Sequence, residues 1–379
     1  MTPLVTQFGW SRTRVSSLAM MVALTSAVSG PVVGSLLDMI DACKVVSVGI
    51  LMTAAALLLA GRAQSFGTIA TAHVMMGLGV ALAAMIPAAV VVSNWFDSAR
   101  GVALGVAMAG MSLGGSVLAS LVSYLIAHHG WRWSYSVLAA PLLALVLPLV
   151  LLTIRTRPRE ASGVGNSPRV QAEGLTTGEA LVSRSFWLLA LLYFSYLSAV
   201  NVGVVHMVPY LIGLRFSAQR AALVFSIALL CSTLAKPAMG ALADRLSARL
   251  AVALAVLSLS CGFALLTQAV HPLALWPLVI LYGIGVGAPI ALVPMLAAES
   301  FGLRNFGTLS GFIGVFGMVG SATGPMVAGH IFDTTGLYPP AFLCCAILLV
   351  VAAMAPFGCV AFKTNMAMRP VRPEAIQAS

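Results

Sequence analysis

The stretch KPAMGALAD (residues 236–244) repeats the pattern of an earlier stretch, GPVVGSLLD (residues 30–38). The two share a proline, a glycine, a leucine and the closing aspartate. Each shared residue is separated from its counterpart by the same 206 positions, as Pro31 and Pro237 show. A second pair, GLG at 77–79 and GIG at 283–285, keeps that separation. A constant separation at two distant places indicates that the chain consists of two related halves.

The composition indicates a membrane protein. Hydrophobic residues make up 60% of the 379 residues and charged residues only 8%, whereas about a quarter of the residues of a soluble protein are charged. Apolar runs of about 20 residues, the length a helix needs to cross a bilayer, recur along the chain. We therefore predict an all-α, polytopic protein embedded in a lipid bilayer. The net charge of +10 comes from basic residues in short loops, so we expect no nucleic-acid partner.

The apolar runs predict about eleven membrane-spanning helices in two bundles. Residues 1–154 form a bundle of five helices, 155–184 a polar cytoplasmic connector, 185–363 a bundle of six helices, and 364–379 a cytoplasmic tail. The predicted spans are 14–37, 44–63, 67–93, 99–127, 133–154, 185–213, 217–243, 248–269, 273–299, 305–331 and 338–362.

The repeat is incomplete at its start. A full apolar helix, 185–213, precedes the helix that ends at Asp244, but only about a dozen polar residues precede the one that ends at Asp38. From this asymmetry we expect an apolar segment of about 20 residues upstream in the gene.

The orientation follows from the basic residues. Assigning loops alternately to two sides places thirteen Lys and Arg residues on one side and six on the other. Because these residues concentrate in cytoplasmic loops, the first side, with the connector and the C-terminus, is predicted to be cytoplasmic. The thirteen are Lys44, Arg100, Arg155, Arg157, Arg159, Arg169, Arg184, Arg245, Arg249, Arg304, Lys363, Arg369 and Arg372; the six are Arg12, Arg14, Arg62, Arg132, Arg215 and Arg220.

Lys236 is the one Lys, Arg, Asp or Glu that the pattern places well inside a helix. It lies eight residues before Asp244, or about 12 Å at 1.5 Å per residue, and burying a charge in lipid costs about 2.5–3.5 kcal/mol or more. Pro237 has no N–H, so the carbonyl group of Thr233 loses its helical donor and a kink is expected. The face that carries Lys236 also carries Ser232, Thr233 and Gly240. This set indicates a small-anion site; the alternative is a structural lysine bonded to carbonyl groups.

Weaker candidates lie on neighbouring helices. Tyr193, Tyr196 and Asn201, together with Tyr282, are predicted to line a cavity, although tyrosines near helix ends also serve as interfacial anchors. His206 is a candidate for proton coupling because imidazole changes charge near neutral pH; a hydrogen-bonded structural histidine is the alternative. The sequence has no paired intramembrane carboxylates, metal-ligand cluster or phosphate loop, so we expect no enzyme, cofactor or metal.

Two loops resemble a known family. GSLLDMIDACK (34–44) and GALADRLSAR (240–249) resemble the motif G-x-L-x-D-R-x-G-R/K of the major facilitator superfamily. Met39 and Ala42 in the first copy, and Ser247 in the second, depart from it. In the family this loop gates the cytoplasmic side, and its Asp can pair with a helix N-terminus or an arginine. The matching residues are Gly34, Asp38, Lys44, Gly240, Asp244, Arg245 and Arg249.

Further segments narrow the resemblance. WFDSARGVALGVAMAGMSLGG (95–115), GWRWSY (130–135) and GPMVAGHIFDTTGLY (324–338) are similar to the bacterial branch of monocarboxylate porters and oxalate/formate antiporters. That branch implies a basic residue before the proline that binds the substrate carboxylate, and Lys236 stands there. It also often has an Asp four residues earlier for proton coupling, where this chain has Ser232.

The resemblance implies a function. We expect a monomeric transporter of the bacterial inner membrane that moves a small organic anion, a monocarboxylate, between two bundles by alternating access. Transport would be coupled to protons or to a counter-anion. One alternative is efflux of amphipathic drug-like compounds; another, of a different class, is a non-transporting membrane sensor or scaffold.

Overall fold

The computed structural model describes residues 7–10, 12–96, 99–154, 174–268 and 272–360. These residues form helices and turns, and within them the one β-type pairing is an isolated bridge between Gly174 and Gly302. The first half contains α1 (Arg12–Val28), α2 (Gly30–Met39), α3 (Ala42–Gly61), α4 (Phe66–Ala83), α5 (Met85–Trp95), α6 (Arg100–Pro141) and, after a π-helical turn, α7 (Leu147–Thr153).

The second half begins with a short helix and continues with six long ones. They are α8 (Thr177–Val182), α9 (Arg184–Gly213), α10 (Ala218–Arg245), α11 (Ala248–Leu266), α12 (Pro272–Phe301), α13 (Phe306–Thr335) and α14 (Pro339–Gly358).

The helices confirm a polytopic, all-α membrane protein. Within the described ranges, nine helical segments are long and apolar enough to span a bilayer, and the bent pair α1–α2 makes ten by length and composition. The predicted span 99–127 is helical but belongs to the long helix α6, which turns sharply at Gly130 (φ 79°, ψ 164°). The total of eleven spans stays a prediction.

Two predicted helices are broken rather than continuous. The span predicted at 14–37 bends by 43° between α1 and α2, and the span predicted at 67–93 is interrupted at Ala84 (φ −104°, ψ −115°). Each break lies just before a proline, Pro31 or Pro87, whose missing N–H leaves a carbonyl group of the preceding turn without its helical donor. In contrast, α10 continues through Pro237 to Arg245.

The end of the predicted connector is ordered. A capping box closes the start of α8: Thr176 Oγ1 accepts from the Glu179 N–H, and the Glu179 carboxylate accepts from the Thr176 N–H. The Leu175 N–H donates to the Phe301 carbonyl at 2.8 Å, which ties this segment to the second half. Residues 155–173 of the predicted connector, and the predicted tail 364–379, lie outside the described residues.

The two halves meet along two helix pairs related by the repeat. We call the α2–α13 pair the Asp38 seam and the α6–α10 pair the Asp244 seam. In the Asp38 seam the backbone of Gly34 touches that of Gly307, and in the Asp244 seam Gly240 touches Gly101 in the same way. A methyl group at any of these glycines would overlap the facing backbone, so only glycine permits this approach.

Packing away from the seams differs between the halves. In the second half, α9 covers α13, and the backbone of Phe194 lies against Gly320. In the first half, the repeat partner of Gly320 is Gly114 on α6, where a Cβ would meet no described atom within 4 Å. No helix of the described part of the first half occupies the position that α9 takes in the second.

A substitution at a seam glycine tests this packing. We expect Gly34→Ala to lower the midpoint of thermal unfolding in detergent by about 3–10 °C, because an overpacked methyl group costs about 1–3 kcal/mol. Gly115→Ala is the matched control, since its Cβ would meet nothing within 4 Å. Equal unfolding midpoints for the two variants would show that the seam is not closely packed.

Candidate functional site

Two long helices at the seams lack a cap of their own. Six of the described helices begin with a side chain that accepts from the first turn, such as Ser65 for α4 or Ser217 for α10. At α6 the N-cap residue is Ala99, and at α13 it is Asn305, and neither makes a side-chain capping bond. The N–H groups of these first turns therefore need an acceptor from elsewhere.

Asp38 and Asp244 supply the missing caps from the opposite half. The carboxylate of Asp38 accepts from the N–H groups of Gly307 and Thr308, each at 3.0 Å, and from the Thr308 hydroxyl at 2.7 Å. The carboxylate of Asp244 accepts from Gly101 N–H at 2.7 Å and from Val102 N–H at 2.9 Å. Donors and acceptors obey the same 206-residue separation, so the two halves cap each other reciprocally.

These bonds define one end of the molecule, which we call the Asp end. It contains the C-terminal ends of α2 and α10 and the N-terminal ends of α6 and α13. Negative charge at a helix N-terminus is favourable because the backbone dipoles and the free N–H groups both attract it. Both seams are closed there.

The other residues of the predicted gating motif lie at the same end. Lys44 and Arg245 are exposed, and Gly34 and Gly240 form the backbone contacts of the seams. Arg249 is close enough to Glu299 for electrostatic interaction, as are Arg100 and Asp244. The Asp244 seam thus has a cluster of charges around its cap.

Lys236 lies in the Asp244 seam, nine residues before the end of α10, or about 13 Å from Arg245 along the helix axis. Its side chain is 5% exposed, and its backbone carbonyl packs against Gly105 of α6. The ammonium group donates to the hydroxyl of Ser112 on α6. Among the described residues no carboxylate pairs with this ammonium.

The other residues predicted around Lys236 are arranged differently. Ser232 and Thr233 are buried. The Thr233 hydroxyl donates back to the Leu229 carbonyl at 3.1 Å, and the backbone of Ser232 packs against Gly287 of α12. Gly240 packs against the backbone of Gly101 in the Asp244 seam.

A small cavity lies between the halves near the Asp38 seam. It has a volume of about 60 Å³ and is almost entirely apolar. Tyr193 lines it, with a weak hydroxyl contact to Met85 Sδ at 3.9 Å. The buried hydroxyl of Ser310 also lines it and has no hydrogen-bond partner among the described groups. Its other lining residues are Ile86, Ala89, Val293, Pro294, Ala297, Ile313 and Gly314.

Three other predicted cavity residues are placed inside the second half. Tyr196 donates to the Val286 carbonyl at 2.5 Å, and Asn201 donates to the Leu197 carbonyl of its own helix at 3.0 Å. Tyr282 is fully buried, with its ring against Gly203 and Phe263. The structure does not bring these three side chains to the cavity that Tyr193 lines.

His206 packs among aromatic side chains at the end opposite the Asp end. Its Nε2 lies 3.0 Å from the Pro325 carbonyl, and its ring lies 5.3 Å from the Tyr338 ring. Both neighbours belong to the second half, and this arrangement is typical of a structural histidine.

The sequence reasoning missed several residues of the site. Ser112, Thr308 and Glu299 make contacts that local patterns do not encode. The N–H donors Gly101 and Gly307 are separated by the same 206 residues as Asp244 and Asp38 are, and that separation was the available signal.

Comparison with known proteins identifies the family. Residues 1–325, and again 207–377, match the sequence model described as the Major Facilitator Superfamily. The chain is 26% identical to monocarboxylate transporter 12-B of Danio rerio over 371 residues, covering 89% of this chain and 77% of that protein. It is 26% identical to human monocarboxylate transporter 12 over 375 residues, covering 90% and 71%.

Solved structures show the same fold at low identity. The fucose:proton symporter of E. coli superposes with a TM-score of 0.75 at 15% identity, covering 94% of this chain and 93% of that chain. The human organic anion transporter MFSD10 superposes with a TM-score of 0.70 at 18% identity, covering 93% and 87%.

Removing one cap charge tests the reciprocal capping. We expect Asp38→Asn to shift the equilibrium toward an open Asp end by about fivefold, because an amide acceptor is weaker than a carboxylate by roughly 1 kcal/mol. Distances between spin labels at Ile40 and Arg304, both exposed at the Asp end, report the change. Asp41→Asn is the control, since Asp41 caps only its own helix α3. Identical distance distributions for the two variants would contradict a cap between the halves.

Proposed function

The chain belongs to the Major Facilitator Superfamily, whose members are transporters and not enzymes, and we propose that it moves a small organic anion, a monocarboxylate, by alternating access. The observation that carries this proposal is the buried ammonium of Lys236, which lies between the halves with a neutral hydroxyl as its partner. A buried charge is costly unless an opposite charge compensates it. A substrate carboxylate supplies that charge and forms charge-assisted hydrogen bonds.

The similarity to relatives supports the same substrate class. The proteins named monocarboxylate transporter cover most of this chain. Because the identity is about 26%, the particular substrate does not carry over from them. Lys236 is the feature of this chain that makes a carboxylate the favoured ligand.

The charges at the end opposite the Asp end also favour an anion. The described basic side chains there are Arg14, Arg62, Arg132, Arg215 and Arg220, and the acidic one among the described residues is Asp333. An excess of one sign around the mouth of a cleft raises the local concentration of the opposite sign and speeds its association. This end would collect anions before they reach Lys236.

The orientation and the coupling are further parts of the proposal. The protein resides in the inner membrane of a bacterial cell. The Asp end faces the cytoplasm, because its loops carry an excess of Lys and Arg. The protein works as a monomer. Movement of the substrate is coupled to movement of a proton or a counter-anion. Because Ser232 replaces an acidic residue next to the lysine, and His206 is bonded within the second half, exchange for a counter-anion is the simpler arrangement.

A second candidate function is efflux of amphipathic drug-like compounds. The cavity lined by Tyr193 is almost entirely apolar, and apolar walls of this kind bind amphipathic ligands without help from Lys236. Its volume of about 60 Å³ is below that of a site for a drug-like molecule, so this function requires the halves to separate further. The two functions differ in their dependence on the ammonium group.

Substitution of the lysine separates these functions. We expect Lys236→Gln to reduce uptake of labelled acetate, pyruvate and lactate into proteoliposomes by at least about tenfold, because one charge-assisted bond to the anion is lost. Lys236→Arg should keep part of the uptake. Arg304→Gln is the control, since Arg304 is exposed at the Asp end and is not part of the gating motif. Carboxylate uptake that is unchanged in Lys236→Gln would overturn the proposal, and efflux of a lipophilic dye that survives in it would favour the second function.

Ionic strength tests the role of the basic end. We expect the initial rate of carboxylate uptake at low salt to fall about two- to tenfold in the double variant Arg215→Gln/Arg220→Gln, and the difference to disappear near 1 M salt, where charges are screened. Arg184→Gln/Arg304→Gln removes the same charge from the Asp end without touching the gating motif and serves as the control. A salt-independent difference would indicate a structural effect instead of steering.

A further inference from the structure

The two seams share their glycine contacts and their caps but differ in other polar contacts, and one of these involves Lys236. At successive positions along the Asp38 seam, Asp38 caps α13, Gly34 touches Gly307, and Gly30 touches Gly311. The Asp244 seam repeats this order with Asp244, Gly240 and Lys236. Lys236 therefore occupies the position of Gly30, and its side chain adds a bond that glycine cannot make.

That bond crosses between the halves. Lys236 belongs to α10 of the second half and Ser112 to α6 of the first. The Lys236 carbonyl lies against Gly105, whereas its ammonium reaches Ser112, seven residues farther along α6 and so about 10 Å farther from the Asp end. The residue that corresponds to Ser112 in the repeat is Met318. In the Asp38 seam the positions of Lys236 and Ser112 are therefore taken by Gly30 and Met318, whose side chains cannot form this hydrogen bond.

A serine hydroxyl is a weak partner for an ammonium group. It is neutral, whereas a carboxylate carries a full negative charge and adds a direct charge–charge attraction to the hydrogen bond. An anion that reaches Lys236 would therefore compete successfully with Ser112 for the ammonium.

We propose that the Lys236–Ser112 bond is a latch between the two halves that the substrate anion releases. This inference rests on the proposed function, because it assigns the anion to the same lysine. In the empty protein the bond holds α6 to α10 in the arrangement with the Asp end closed. When a carboxylate takes the ammonium, α6 loses this tie, and the equilibrium moves toward opening of the Asp244 seam. Ser112 is thus a positioning residue that links binding to the conformational change.

The test combines a distance measurement with a binding measurement. Spin labels at Phe96 and Leu246, both exposed near the Asp end of the Asp244 seam, report its opening in detergent. In wild type we expect pyruvate to lengthen the distance. In Ser112→Ala we expect a longer distance before any anion is added. We also expect the Kd for pyruvate to be about fivefold lower, because binding no longer has to displace a hydrogen bond.

Two variants control for folding and for loss of a hydroxyl. Ser112→Thr keeps the hydroxyl and should behave as wild type. Ser195→Ala removes a buried hydroxyl that bonds only the Leu191 carbonyl of its own helix at 2.8 Å, and it should leave both distance and Kd unchanged.

The possible failures of the two proposals give different results. An unchanged distance in anion-free Ser112→Ala overturns the latch, and weaker pyruvate binding in that variant overturns it too, because Ser112 would then be a direct ligand. If the anion-free distance lengthens but wild type binds none of acetate, pyruvate and lactate, the proposed function fails. Release of the latch by substrate fails with it.

Discussion

Each half of this transporter caps a helix of the other, and the closed end of the molecule depends on that exchange. Asp38 and Asp244 accept from the first-turn N–H groups of α13 and α6, two helices that make no side-chain cap of their own. Hydrogen bonds to a charged group contribute about 1.5–3 kcal/mol each. Opening the Asp end removes the acceptors from both helices at once. The two seams therefore favour the closed arrangement of the Asp end and open together.

Glycine contacts make the caps geometrically possible. The carboxylates reach the facing helix ends because Gly34 and Gly307, and likewise Gly240 and Gly101, bring the helix backbones into contact one turn away. Backbone contact of this kind contributes packing energy without side chains that would interlock the helices. The seams are consequently tight when closed and free of obstruction when they separate, as alternating access requires.

The sequence predicted this fold well and the site only in part. The 206-residue repeat and the apolar runs were sufficient to predict two related bundles, because both are visible in the sequence without knowledge of any tertiary contact. The breaks at Ser29 and Ala84 were missed, although each precedes a proline. Ser112 was missed because a contact between α6 and α10 has no local signature. The lysine itself stood out, since a charge in an apolar helix is conspicuous whatever its partner.

The proposed function rests on one difference between the two related halves: Lys236 stands where the first half has Gly30. A structure determined with a bound monocarboxylate tests this most directly. The account predicts a carboxylate oxygen within hydrogen-bond distance, about 2.7–2.9 Å, of the Lys236 Nζ, with Ser112 released from it. A carboxylate bound elsewhere, with Lys236 still bonded to Ser112, would contradict it.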